Sequence, residues 1–454
     1  MARPSRVAGT AARLAVLAIA VLVAACGPSN TGRGTEPGQI GAWGAGSGTL
    51  FGQGGSGGLE PLFRSLRALE NGSIQGPVAI VQLGDSHTAG DYFSGRLRER
   101  FQERFGGAGR GMMGPGVPFN FFEPTLVEVS QTDGWDLESS FTSNPTGVFA
   151  LTGYRITADE PDAIATLVTT ESAGFDFVQI EAVRRPGGGT LVVDVDGDEV
   201  YRLDTDGPTM QAARLDLPLD RPGRRLSVHP AGDGPVTLIS WLTQRDRPGI
   251  VLDSHGIVGA SINIIGHWDA GTVQWELASR NPALVILAFG TNEGFQDDLE
   301  AAEYRQDFTA RLAQIEAAAP NAAILVVGPP DADRLPQACR QGVDEPLQLS
   351  CRPLDAQETA NYASLFGASA EGDACRWHPP PNLAVVRAIQ REVALSRGHY
   401  FWDWSQVMGG ACGLHAWATD NPPLAHSDVV HMRPAGYARS ADALFNALMA
   451  AYGG

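Results

Sequence analysis

The chain has 454 residues and a mass of 48.0 kDa, enough for two or three domains with sizeable cores at roughly 100–200 residues each. With 43% hydrophobic and 19% charged residues, 55 glycines and 30 prolines, it is neither a coiled-coil rod, a collagen nor a disordered polyelectrolyte, and it suits a loop-rich globular protein. The formal charge is −18 and every basic residue is an arginine, which argues against a nucleic-acid partner and removes lysine nucleophile or Schiff-base chemistry.

Residues 1–25 read as an address. Arg3, Arg6 and Arg13 form a basic start, and the uncharged apolar run 14–25 is short for a membrane span. It ends in Val23-Ala24-Ala25-Cys26, which resembles the bacterial lipobox, where a cysteine is lipidated and becomes the new first residue. An ordinary signal peptide cut near Ala25 or a plain amphipathic anchor is the alternative. The lipobox reading makes 1–25 a lipoprotein signal peptide, Cys26 the lipidation site and lipid the membrane anchor. Gly27 after the cysteine then implies an exported lipoprotein on the outer membrane, facing the periplasm. Residues 26–60 are rich in Gly, Ser, Thr and Pro, the composition of a flexible tether.

The run 77–83, continuously apolar and bounded by turn residues, predicts a buried parallel strand after a weakly helical stretch at 62–70. Tyr92, Phe93, Leu97, Phe101 and Phe105 then recur at helical spacing. From about 121 to 249 the pattern changes to short, often alternating segments at 164–168, 175–183, 191–195, 199–203 and 236–242. Asp196-Gly197 and Asp233-Gly234 read there as hairpin turns. Spacing of this kind predicts a β-sandwich or jelly roll. Its aromatics, Trp135, Phe141, Tyr154, Tyr201 and Trp241, read chiefly as core, with a sugar-stacking platform as the functional alternative.

Helix and strand alternation then resumes. Strands are predicted at 283–289, 322–327 and 400–404, and helices at 299–319, 383–396 and 434–451. The fold class is therefore α/β: a parallel-sheet domain made of 61–120 and 250–454, interrupted by an all-β insertion at 121–249. The long loop 329–382 holds Cys339, Cys351 and Cys375. With Cys412 they make four cysteines in an oxidising compartment, so two disulfides are expected, with three connectivities open. A zinc site is the alternative, but there is no CxxC pair or HxxxH spacing. No metal or cofactor is expected, and the oligomeric state is not legible.

Three short blocks carry chemistry. Gly84-Asp85-Ser86 follows the first buried strand and precedes a helix, where open α/β sheets place ligands. Gly290-Thr291-Asn292-Glu293 follows the second, and Asp428-Val429-Val430-His431 precedes the last helix. A serine hydroxyl needs an imidazole to take its proton, and the imidazole needs a carboxylate to fix its tautomer. No Gly-x-Ser-x-Gly elbow stands between a predicted strand and a helix. Asp85 reads as a turn or helix-start residue, His87 as a pocket or loop residue and His426 as a weaker competitor for the base. His255, His267, His378 and His415 read as structural or surface histidines.

With Gly259-Ala260, these blocks resemble in their order the SGNH, or GDSL, hydrolase family. The resemblance implies a three-layer parallel-sheet domain. It also implies Ser86 as nucleophile with Asp428 and His431 as the base pair, and an oxyanion hole made by the backbone N–H groups of Ser86 and Gly259 with the Asn292 side chain. Glu293 stands where the broader family more often has aspartate, which leaves its role open. The extended block 84–98, the Gly-rich stretch 106–116, the inserted β-domain and His431-Met-Arg-Pro-Ala-Gly-Tyr437 look like the periplasmic peptidoglycan O-acetylesterases of the Ape type. In that group the insertion is similar to a carbohydrate-binding module, so acetylated peptidoglycan is the expected substrate and partner. A glycan O-acetyltransferase, another esterase or lipase of the superfamily, and a catalytically silent wall-binding scaffold are the competing readings.

Overall fold

The first apolar run forms the strand Pro77–Gly84, seven of whose eight residues are buried. It lies inside a parallel sheet with Gly249–Gly256, Leu284–Ala288, Ala323–Gly328 and Tyr400–Asp403. Numbered along the chain, these five strands lie side by side in the order 2-1-3-4-5, and the short strand Leu50–Phe51 adds antiparallel to the last. This is a doubly wound order, which reverses direction between the first and third strands.

The computed structural model describes residues 48–52, 58–142, 145–340, 343–367 and 370–453. The chain divides into two units, Met1–Gly44 and Ala45–Gly454, and all described residues belong to the second. The proposed leader 1–25, Cys26 and most of the tether 26–60 lie outside the described residues; the far end of the tether reading is corrected, because Leu50–Phe51 pairs with Trp402 and Phe401 in the sheet and Leu59 is buried. Among the described residues no helix is long and apolar enough to cross a membrane.

Side chains alternate across the sheet. Val78 and Ile80 meet Leu62, Phe93, Leu97, Phe101 and Leu444 of the helices Glu60–Glu70, Tyr92–Phe105 and Pro434–Tyr452 on one face. Val81 and Leu83 meet Val273, Phe308, Leu312 and Val393 of Ala270–Arg280, Ala301–Ala318 and Pro381–Ser396 on the other. The result is three layers, helix, sheet and helix, with each fully buried large apolar side chain contributing about 1.5–3 kcal/mol.

Between the first parallel strand with its helix and the second parallel strand, the chain forms antiparallel structure. One sheet has the order Asp198–Asp204, Thr190–Val195, Arg225–Pro230, Ala165–Thr169, Val127–Gln131. The other has Gln211–Gly223, Phe175–Arg184, Val236–Gln244, Tyr154–Ala158, Asp136–Ser139. A shared core holding Val193 and Leu226 of the first with Ile180 and Trp241 of the second makes the pair a sandwich. Antiparallel pairing starts earlier than residue 121, because Gly109–Met113 also pairs with Val236–Gln244. Trp135, Tyr154 and Trp241 are core, whereas Phe141 and Tyr201 are exposed.

Of the two turn signals, Asp196-Gly197 joins a two-residue hairpin, with φ values of 55° and 91°. Asp233-Gly234 corrects the reading: it lies where the chain passes from one sheet to the other. The Asp233 carboxylate there accepts hydrogen bonds from the Thr190 N–H and hydroxyl. The cysteines form Cys339–Cys375 and Cys351–Cys412, one of the three open connectivities. Among the described residues, one cluster has metal-like spacing, Asp333 with Cys351 and Cys412, and both of its sulfurs are committed to a disulfide.

Candidate active site

The parallel strands end level with one another: Gly84 is in register with Gly256 on one side and Ala288 on the other. A Cβ at Gly84 would lie 2.2 Å from the Thr88 hydroxyl and 2.7 Å from the Ala288 carbonyl, so only glycine lets the next turn sit directly on the strand ends. That turn is the short helix Ser86–Ala89. The Asp85 carboxylate caps it by accepting the His87 N–H at 3.0 Å. Ser86 is thus the first helical residue, in the first turn where backbone amides have no intrahelical acceptor.

His431 reaches this point from the loop before the last helix. Its Nε2 is 3.0 Å from Ser86 Oγ, and its Nδ1 is 2.7 Å from Asp428 Oδ2. The other Asp428 oxygen accepts the Val430 and His431 backbone N–H groups, both at 3.0 Å. A carboxylate fixed by two amides thereby orients the imidazole, and Nδ1 carries the proton while Nε2 faces the hydroxyl. The loop is closed by an Ala425–Met432 antiparallel bridge and by the His426 N–H on the His431 carbonyl. Val429, between the two functional residues, has φ 54°, a conformation costly for a β-branched side chain and held here by complete burial.

Burial pulls the His431 pKa down, but the hydrogen bond and charge of Asp428, helped by the Asp85 charge, outweigh it and hold the imidazole above its ordinary 6.5. For Asp428, partial burial works upward and is overcome by the His431 hydrogen bond and charge and by the two amides, leaving a pKa of about 2. Both side chains remain partly open to solvent, at 38% and 41% of their surface.

Around this line the other blocks converge. Asn292 Nδ2 donates to the Ala260 carbonyl at 2.8 Å, and buried Glu293 accepts the Ile262 N–H at 2.8 Å. The segment 259–262 is therefore gripped at two points by the turn after the third parallel strand. Gly259 in it has φ 78°, a left-handed conformation that glycine adopts without strain. Burial pushes Glu293 up to about 7 and Asp85 up to about 6. The role left open for Glu293 is thus one of position, holding the Gly259 turn.

His87 is buried, and its Nδ1 is 3.0 Å from the Tyr437 hydroxyl. Burial first, then the His431 charge, lowers its pKa to about 3, so it is a neutral wall whose ring lies 5.3 Å from that of His431. His426 is on the far limb of the same loop, and it is His431 whose ring nitrogen meets Ser86. His255 and His378 are buried, His267 bonds to the Ser140 carbonyl and His415 packs beside Trp377. Sequence reasoning missed Tyr437 as a partner of His87; its signal was the Gly-Tyr pair that follows the His431 block.

The model of the GDSL-like lipase/acylhydrolase family matches residues 223–439. That span includes Gly259, Asn292, Asp428 and His431, while Ser86 precedes it and joins them through the fold. A solved peptidoglycan O-acetylesterase structure superposes with a TM-score of 0.69 at 26% identity, over 89% of this chain and 99% of that one. Family two carbohydrate esterases also match. One from Clostridium thermocellum, in complex with cellohexaose, has 11% identity, 70% and 99% coverage and a TM-score of 0.29. One from Cellvibrio japonicus has 13% identity, 72% and 98% coverage and a TM-score of 0.27. No curated protein matches the chain. The serine, histidine and aspartate stand in hydrogen-bonded line at the ends of a doubly wound sheet, and over residues 223–439 the chain is similar to the GDSL-like lipase/acylhydrolase family.

Proposed function

We propose that the protein is a serine esterase that removes O-acetyl groups from a glycan, with peptidoglycan as the polymer. The Ser86 hydroxyl attacks the acetyl carbonyl as His431 Nε2 takes its proton. The Ser86 and Gly259 amides and an Asn292 amide hydrogen stabilise the oxyanion, and the sugar hydroxyl leaves with the proton from His431. Water, deprotonated by the same imidazole, then cleaves acetyl-Ser86 to acetate and free serine.

The observation that carries the substrate is the match to the peptidoglycan O-acetylesterase. It extends over 89% of the chain, more than the parallel-sheet segments alone supply. On this reading, 61–120 and 250–454 are the discontinuous catalytic domain and 121–249 an inserted sandwich of the carbohydrate-binding-module kind. Cys26 carries the lipid that holds the protein on the outer membrane, facing the periplasm. A tether of about twenty residues between Cys26 and the strand Leu50–Phe51 spans on the order of 25 Å as a coil, and more when stretched, which supports access to the wall.

The reading is tested by acetate release from O-acetylated peptidoglycan. Release by the native protein that disappears in Ser86→Ala supports it. Serine-dependent release from a small acetyl ester with none from peptidoglycan would retain the chemistry and reject the polymer.

A further inference from the structure

Most aromatics of the inserted sandwich are buried, but Phe141 keeps 54% of its surface exposed at a place that matters. A Cβ built on Gly259 would lie 3.4 Å from Phe141 Cζ and 3.6 Å from Cε1, so the phenyl ring is flush with the turn that presents the Gly259 amide.

The ring is held there. Ser140, fully buried, donates its N–H to the Gly153 carbonyl at 2.8 Å, and its carbonyl bonds to His267 Nδ1 at 2.8 Å. Its hydroxyl oxygen accepts the Trp268 indole N–H at 3.1 Å. Two of these bonds, to His267 and Trp268, fasten the sandwich loop to the segment after Gly259, the third ties it to Gly153, and the next side chain is left facing solvent. Val258, immediately before Gly259, is exposed at 36% and extends the apolar patch.

We propose that Phe141 is a substrate-binding residue: it stacks on the apolar face of the pyranose ring whose hydroxyl carries the acetyl group. The inference rests on the esterase reading above. An acetyl group is only a few atoms across, so when its carbonyl oxygen faces the Gly259 amide, the sugar must lie within one ring's breadth of that amide. Phe141 already stands there. The C–H face of a pyranose meets a flat aromatic well, and a ring fixed before binding loses little entropy when it is covered. The inserted sandwich then contributes directly to the catalytic cleft and selects a glycan over a small ester.

The test compares kcat/KM of the full chain on O-acetylated peptidoglycan and on ethyl acetate, whose alcohol has no ring to stack. Phe141→Ala is expected to lower kcat/KM for the polymer about tenfold relative to the ester, mostly through KM, and Phe141→Trp to restore the ratio. Equal losses on both substrates would show that Phe141 merely props Gly259 and would overturn the inference. An unchanged ratio in Phe141→Ala would overturn it too. If the native protein released acetate from ethyl acetate and none from the polymer, the peptidoglycan reading would fall and this inference with it.

Discussion

The Ser86 hydroxyl and the His431 imidazole, 345 positions apart in the chain, meet at 3.0 Å because their turns sit at one end of the parallel sheet. One turn follows the first strand and the other precedes the last helix, near the point where the strand order reverses. Neither side chain acts alone in this arrangement. Ser86→Ala and His431→Ala are each expected to lower kcat by about 10⁴-fold or more, and the double variant to lose little beyond the worse single one. Roughly multiplicative losses in steady-state acetate release would show that the two residues do not work as a unit.

The base must be neutral to accept the serine proton. His431 titrates above 6.5, so kcat/KM should fall as pH drops through that raised value. Asp428→Asn removes the hydrogen bond and charge that raise it and leaves the burial that lowers it, so the acid limb should move to lower pH. The same variant should lose about 10⁴-fold in kcat, because the imidazole then adopts the wrong tautomer. A pH–rate profile checks both; an unmoved limb in Asp428→Asn would assign the titration to another group.

In the proposed reaction Asn292 has two tasks. One amide hydrogen is held by the Ala260 carbonyl, which leaves the second for the oxyanion. Asn292→Ala should cost about 10²–10³-fold in kcat with a small change in KM. A loss confined to KM would make Asn292 a ground-state contact.

Much of this was legible in the sequence, and the exceptions have physical causes. The strand at 77–83 and the helix at 92–105 showed themselves by unbroken apolarity and by helical spacing. The second parallel strand, Gly249–Gly256, did not, because its apolar run stops at Leu252. Asp253, Ser254 and His255 complete it, and Asp253 is buried only because Arg280 and the Met112 N–H bond to it. The helix Ala270–Arg280 was missed for a similar reason, since buried Glu276 interrupts its apolar face. In the site, the order of Ser86, Asn292, Asp428 and His431 was visible, whereas the contact between Phe141 and Gly259 required the fold.

That buried Glu276 has a consequence for stability. It accepts the Leu151 N–H and faces the buried, Arg214-paired Glu181. Burial and then the Glu181 charge raise its pKa well above 4.5. The folded state therefore holds a proton that the unfolded chain releases, and stability is lost as pH rises above 4.5 toward the raised value. Glu276→Gln should be neutral in effect near pH 4 and increasingly stabilising relative to the native protein at higher pH. Denaturant titrations across pH check this; a constant difference would contradict it.

The disulfides close segments with sequence separations of 36 and 61 residues. Loop-closure entropy gives each about 4 kcal/mol. Replacing Cys351 and Cys412 together by serine should lower unfolding free energy by about that amount and free the 329–382 loop, which lies next to the triad because the Asp333 N–H donates to the Val429 carbonyl at 2.9 Å. Urea unfolding at fixed pH measures it.

The most direct test of the account is acetate release from O-acetylated peptidoglycan by the purified protein and by Ser86→Ala. The account predicts release by the native protein and loss of nearly all of it in the variant. Release that persists in Ser86→Ala, or none from either protein, would contradict it.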